Sequence, residues 1–262
     1  MKKEVKLARK IKRFLKRLGY PRWLHHFGPK TYQLWQHVFA LVAIAVFRLS
    51  LRRAENLLCM FGVEIPSYSA LCKSRKRIPT LLWQRVMSLT AGQTHACVAI
   101  DNTGFSRTNP SLHYIKRINR TNLTSAGCVK QSSLLNVKRR TFVALRVRSR
   151  PRQDLQDVKY LLQGQKCKTL LADRAYDAEF LHEYCWKRNI YANIKPKLWN
   201  KRGWYRRKQR RLFDEKKYHQ RSLIESAQSA VKRKYGDHTL AKHIGSIRVE
   251  AYCKAIAYNM RL

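Results

Sequence analysis

Fifty-six lysines and arginines stand against fifteen acids in this chain of 262 residues, a formal net charge of +41. That imbalance constrains the fold before any local pattern is considered. Compaction gathers the cations, and their repulsion opposes the compact state unless a polyanion neutralises it. Basic clusters recur along most of the chain, so the charge is not confined to a tail. Nucleic acid is therefore the first expected partner and an anionic membrane surface the second. A hydrophobic share of 45% is enough for a real core and argues against disorder. The length suits one large domain, or one domain plus a small helical one.

Seven cysteines are spread singly, with no CxxC pair. An odd count without paired spacing fits neither a disulfide framework nor a zinc site, so reduced thiols in a cytoplasmic protein are expected. The first twenty residues are basic throughout and lack the apolar stretch of a signal peptide. The run Val38 to Phe47 is too short to span a bilayer and reads as a core helix, so no membrane partner is expected.

Along the chain, residues 2–18 read as a basic amphipathic helix with Val5, Ile11, Phe14, Leu15 and Leu18 as apolar contacts. It is either a solvated helix with an apolar seam or a DNA-contacting arm. Residues 31–48 follow as a buried helix. Ser50 then caps a helix stopped by Gly62, and Ser67 caps a second one carrying Lys73, Arg75, Lys76 and Arg77. Helix, short turn, basic helix is the outline of a helix-turn-helix, although plain helical packing gives the same outline.

From His95 the apolar period shortens. Residues 95–101 read as a strand ending on Asp101 and followed by a turn, NTGFS. Further strands are predicted at 111–119 and 140–149, joined by a loop at 121–131. Residues 154–163 form a helix, 167–173 a strand ending on Asp173, 177–189 a helix and 190–196 a last strand. Three strands, then helix, strand, helix, strand predicts a mixed α/β sheet with helices on its faces. Residues 197–217 interrupt this with lysines and arginines among Trp199, Trp204 and Tyr205, a composition suited to phosphate contact and base stacking, or to a merely basic loop. Residues 246–260 read as a final helix packed on the sheet.

With so few acids, their placement is informative. Asp101 and Asp173 each end an apolar strand, and Glu225 lies in a helix predicted from Tyr218 to Gly236. At about 100° per residue, Tyr218, Arg221, Glu225 and Lys232 share an arc of about 60° on that helix. The opposite arc carries Leu223, Ile224, Ala227, Ala230 and Val231. A strand-end aspartate is open to two readings, a turn or ion pair, or a ligand in a site of hard oxygen donors for divalent metal. Two such aspartates and a helix glutamate could converge to bind two ions for phosphodiester chemistry.

The spacing Tyr-x₂-Arg-x₃-Glu-x₆-Lys resembles the signature helix of the insertion-sequence DDE transposases. AIDNTGF and LLADRAYD resemble that group's two aspartate segments, over about residues 95–262. The resemblance implies a ribonuclease-H-like catalytic domain at 93–262 with a small basic-aromatic insertion at about 197–217. The helical region at 1–92 would then bind DNA. It further implies that Asp101, Asp173 and Glu225 are catalytic metal ligands for two Mg²⁺ ions, with Mn²⁺ able to replace them. Tyr218, Arg221 and Lys232 would contact DNA near the cut, with Arg174 and Lys195 as further phosphate contacts. The activity implied is metal-dependent cleavage of element ends and strand transfer into double-stranded target DNA. It would be carried out by a homodimer on DNA in a prokaryotic cytoplasm. A ribonuclease-H-like nuclease or junction resolvase, and a non-catalytic basic nucleic-acid-binding protein, are the alternatives.

Overall fold

The computed structural model describes residues 3–25, 30–60, 62, 64–92, 94–107, 128–149, 153–199 and 202–262. The strand predicted at 111–119 and the first part of the loop after it lie outside these residues, as does the side chain of Val5.

Helix α1 (Lys3–Arg17) buries Leu7, Ile11 and Leu15, one stripe at four-residue spacing, and leaves Arg9, Lys10, Lys12, Arg13, Lys16 and Arg17 outside. Helix α2 (Leu34–Phe47) is apolar on all sides and lies inside the core, as its uninterrupted run of small and branched residues requires. Ser50 Oγ accepts from the Arg53 backbone N–H at the start of α3 (Leu51–Met60), and Gly62 takes a positive φ of 68° just beyond it. Ser67 Oγ caps α4 (Tyr68–Arg77) through the Ala70 N–H. Helix α5 (Thr80–Ala91) buries Leu82, Trp83, Val86 and Met87. Among the described residues no single helix is long and apolar enough to cross a membrane. The bent pair α2–α3, broken by 103°, passes only on length and composition, and α2 is buried.

Strands β1 (Thr94–Arg107), β2 (Cys128–Asn136), β3 (Thr141–Arg148), β4 (Lys166–Ala172) and β5 (Tyr191–Ile194) form a mixed sheet in the order β3-β2-β1-β4-β5. The first three pair antiparallel, and β1, β4 and β5 pair parallel. Helix α6 (Leu155–Leu162) joins β3 to β4, and α7 (Glu179–Lys187) joins β4 to β5. Helices α8 (Trp204–Arg211), α9 (Glu215–His219) and α10 (Ser222–Tyr235) follow. The short β6 (His238–Thr239) then pairs with the far end of β1, and α11 (Ile244–Asn259) ends the fold. The expected mixed sheet with flanking helices after a helical region is therefore present.

Three local expectations are corrected. NTGFS is not a turn: β1 continues through it to Arg107, because Asn102 to Ser106 find partners on β2 from Ser132 to Cys128. Cys128–Gln131 is accordingly strand and not loop. The helix expected from Tyr218 to Gly236 is two helices: Tyr218 belongs to α9, and α10 starts after Arg221. Tight i→i−3 bonds, Arg221 N–H to Tyr218 O at 2.9 Å and Ile224 N–H to Arg221 O at 3.0 Å, mark the joint.

The sheet carries an apolar core on each face. On one face Ala99, Phe105, Leu135, Phe142 and Leu171 pack with α1–α5, α10 and α11; on the other Val98, Ile100, Leu134, Leu170 and Ala172 pack with α6 and α7. The helical region thus shares its core with the first face. Alternation along the strands also decides where the aspartates go. Asp101 has the parity of Ala99 and Phe105, and Asp173 that of Leu171, so both belong to the α10 face.

Candidate functional site

Strands β1 and β4 are in register at Ala99 and Leu171, and two residues beyond this pair stand Asp101 and Asp173. Asp101 remains within β1, while Asp173 follows β4 and caps a short 3₁₀ turn, its Oδ1 accepting the Arg174 backbone N–H at 2.7 Å. Helix α10 is seated on this face by Ile224, Ala227 and Val231, which turns Glu225 outward beside the strand ends.

Two side chains connect the carboxylates. Tyr218 donates its hydroxyl proton to Asp173 Oδ1 at 3.2 Å. Arg221 pairs with Glu225 through Nη2 to Oε1 at 2.6 Å, while its Nη1 lies 4.0 Å from Asp101 Oδ1. Its guanidinium is also 5.9 Å from the Tyr218 ring centroid. The break between α9 and α10 therefore keeps Tyr218, Arg221 and Glu225 at one place. Lys195, just past β5, sets its ammonium 5.4 Å from the same Tyr218 ring, and its backbone N–H reaches Ala172 O. Lys232 lies elsewhere, its ammonium 5.5 Å from the Phe105 ring, and Arg174 points into solvent. Neither forms an ion pair with the three carboxylates.

The electrostatics fit this crowding. Burial, with Glu225 and Asp173 adding to it, raises the Asp101 pKa to about 6 against the pull of Asn102 and Arg221. Burial and the Asp173 charge raise the Tyr218 phenol. Burial opposes the Arg221 charge, yet the hydrogen bond and charge of Glu225 push its pKa up. Among the described residues no three carboxylate, imidazole or thiol side chains are grouped closely enough to hold a metal ion. Arg221 reaches towards both Asp101 and Glu225. The donor set nevertheless suits Mg²⁺ or Mn²⁺, being three hard carboxylates whose mutual repulsion a divalent ion would relieve.

Several surrounding residues carried no sequence signal. Asn102 Nδ2 donates to the Tyr176 hydroxyl at 2.8 Å beside Asp101. Asp157, fully buried, accepts from Ser132 Oγ and Arg148 Nε at 2.7 Å each, and ties α6 to β2 and β3. All seven cysteines are free thiols.

Residues 92–260 match a family model described as a transposase DDE domain. No curated protein matches the chain. A cryo-EM structure of a piggyBac transposase synaptic complex with hairpin DNA aligns with 97% of this chain and 72% of that one, at 11% identity and a TM-score of 0.46.

Proposed function

Because the chain belongs to the transposase DDE domain family, we propose that it cuts the ends of a mobile element and joins them to target DNA, with Asp101, Asp173 and Glu225 as the catalytic metal ligands. The observation that carries this reading is the contact chain Asp173–Tyr218–Arg221–Glu225, with Asp101 at 4.0 Å from Arg221. It links three carboxylates, from β1, the end of β4 and α10, beside the carboxyl end of β4. Bound there, Mg²⁺ or Mn²⁺ would act as a Lewis acid on a phosphodiester and make bound water or a 3′-hydroxyl more acidic.

The chain's own residues supply the remainder. Arg221 and Lys195, flanking Tyr218, provide cationic donors for phosphate oxygens of the bound strand. Tyr218 holds Asp173 in place through its hydroxyl, and its ring lies beside the same strand. Arg174 and Lys232 contact the DNA further from the reacting phosphate. Residues 93–262 form the catalytic domain, with the basic-aromatic insertion near 197–217. Residues 1–92 recognise the element ends, α3 and α4 presenting Arg52, Arg53, Lys73, Lys76 and Arg77. A homodimer on two DNA ends, in a prokaryotic cytoplasm, completes the proposal.

The test uses the gene with its own flanking DNA, purified protein and Mg²⁺, and maps breaks and joins to the nucleotide. Breaks at fixed flanking positions whose 3′-ends become joined to new DNA are expected. Breaks without joining would make the protein a nuclease, and binding without breaks would leave a DNA-binding module.

A further inference from the structure

Beyond β5 the chain crosses α7 as α8, and the local acids are turned inward to hold it. Asp177, buried, accepts from Arg206 Nε at 3.0 Å, His182 Nε2 at 2.8 Å and the Lys197 backbone N–H at 2.8 Å. Arg206, 7% exposed, also donates to the carbonyls of Asp177 and Arg202. Glu179 closes the start of α8 by accepting the N–H groups of Tyr205 and Arg206 at 2.9 and 3.0 Å. What α8 leaves outside is cationic: Arg207, Lys208, Arg210 and Arg211 are exposed, and among the described residues none of them pairs with a carboxylate.

The aromatic residues here serve that charge. The Lys208 ammonium is 4.0 Å from the Trp186 ring centroid and 4.9 Å from that of Trp204. Trp204 also meets Trp186 and Tyr205 edge to face, at 6.0 and 4.8 Å. A lysine and neighbouring rings thus occupy positions that a stacked base would need, and a flexible side chain is held ready for an anion. Helix α8 packs on α7 and β5, and β5 neighbours β4, the strand that ends at Asp173, so α8 lies on the Asp173 flank of the sheet.

We propose that α8 is a rail for the phosphate backbone of duplex DNA approaching the site from the Asp173 side, with Lys208 pre-ordered by Trp186 and Trp204. The identity of the partner rests on the transposase reading; the rail itself rests on the docking of α8 and the one-signed face it presents. Backbone contact is independent of sequence and strongly salt-dependent, whereas base stacking favours unpaired strands.

The test is the affinity for a random-sequence duplex, by fluorescence anisotropy in EDTA over a series of salt concentrations. The wild-type chain is compared with an Arg207→Ala, Lys208→Ala, Arg211→Ala triple variant. Each lost phosphate contact lowers the slope of log K against log[salt] by roughly 0.9, so the triple variant is expected to lose about 2 to 3 in slope, equally on unrelated sequences. An Arg207→Lys, Arg211→Lys variant keeps the wild-type slope. Trp204→Leu weakens duplex binding at least as much as single-strand binding. An unchanged slope in the triple variant overturns the rail while leaving the transposase reading intact. A Trp204→Leu loss confined to single strands overturns it in favour of base stacking. A wild-type chain that binds no duplex overturns the rail and the transposase reading together.

Discussion

Arg221 holds the carboxylates of Glu225 and Asp101 within reach of one guanidinium, and Tyr218 ties that group to Asp173. Removing the Tyr218 hydroxyl with Tyr218→Phe takes away a donor to Asp173 and leaves the ring against Lys195 and Arg221. The expected outcome is a cleavage rate lower by about tenfold with DNA affinity almost unchanged, the effect of one hydrogen bond of about 1.4 kcal/mol; single-turnover kinetics on the flanking DNA would read it. A second residue bears on stability. Burial, assisted by the charge of His25, lowers the pKa of His37 from 6.5 to about 4. Between those values the unfolded chain takes up a proton that the folded chain refuses, so stability is intact above pH 6.5 and falls as the pH drops toward 4. The loss at the acid end is about 3 kcal/mol at 1.36 kcal/mol per pKa unit. In denaturant melts across this window the wild type is expected to lose stability relative to His37→Leu as the pH falls; curves that stay parallel would contradict the assignment.

At the scale of elements, hydrophobic periodicity and caps made α2, α3, α4, α7, β4 and β5 legible, and each carries its own signal: a continuous apolar run, Ser50, Ser67, or a strand closed by Asp173. What the sequence did not show was pairing. The Asn-Thr-Gly segment after Asp101 has turn residues, yet β1 runs straight through it because Gly104 and Phe105 pair with Lys130 and Val129. The joint between α9 and α10 was invisible for a related reason. Helical spacing alone cannot report that Gln220 and Arg221 close a tighter turn. Asp101, Asp173 and Glu225 were legible as candidates, whereas the inward use of Asp177 and Glu179 was not, since it depends on residues 26 to 29 positions further along. Gly203 tests that arrangement. Its φ is +105°, and an added Cβ would lie 2.0 Å from Glu179 Oε2. Gly203→Ala is expected to cost about 1–3 kcal/mol through backbone strain, to loosen α8 and to speed tryptic cleavage between Arg206 and Arg211. Limited proteolysis followed by mass spectrometry would show whether the new cuts fall there.

Across the whole molecule the charge of +41 returns as a statement about stability. The two cores on either face of the sheet hold the chain together against a repulsion that bound DNA would remove. Duplex DNA is therefore expected to raise the melting temperature strongly at low salt, and far less at 1 M, where the Debye length shrinks from about 10 Å at 0.1 M to about 3 Å. Differential scanning fluorimetry at the two salt concentrations would check this. The helical region, α10 and α11 share one core, so DNA held by α3 and α4, as proposed, would be mechanically connected to the helix that carries Glu225. Arg48, at the end of α2, strengthens that connection by donating to the Arg233 carbonyl at 2.7 Å in the last turn of α10.

Whether Asp101, Asp173 and Glu225 act as one metal-dependent centre, as proposed, is tested most directly by cleavage of the flanking DNA by Asp101→Asn, Asp173→Asn and Glu225→Gln beside the wild-type protein. Each substitution keeps the side chain's shape and removes its charge. Each variant is expected to bind DNA as the wild type does and to cut at least about a thousandfold more slowly, a barrier increase of about 4 kcal/mol. Any one of the three cutting at the wild-type rate would contradict the proposal.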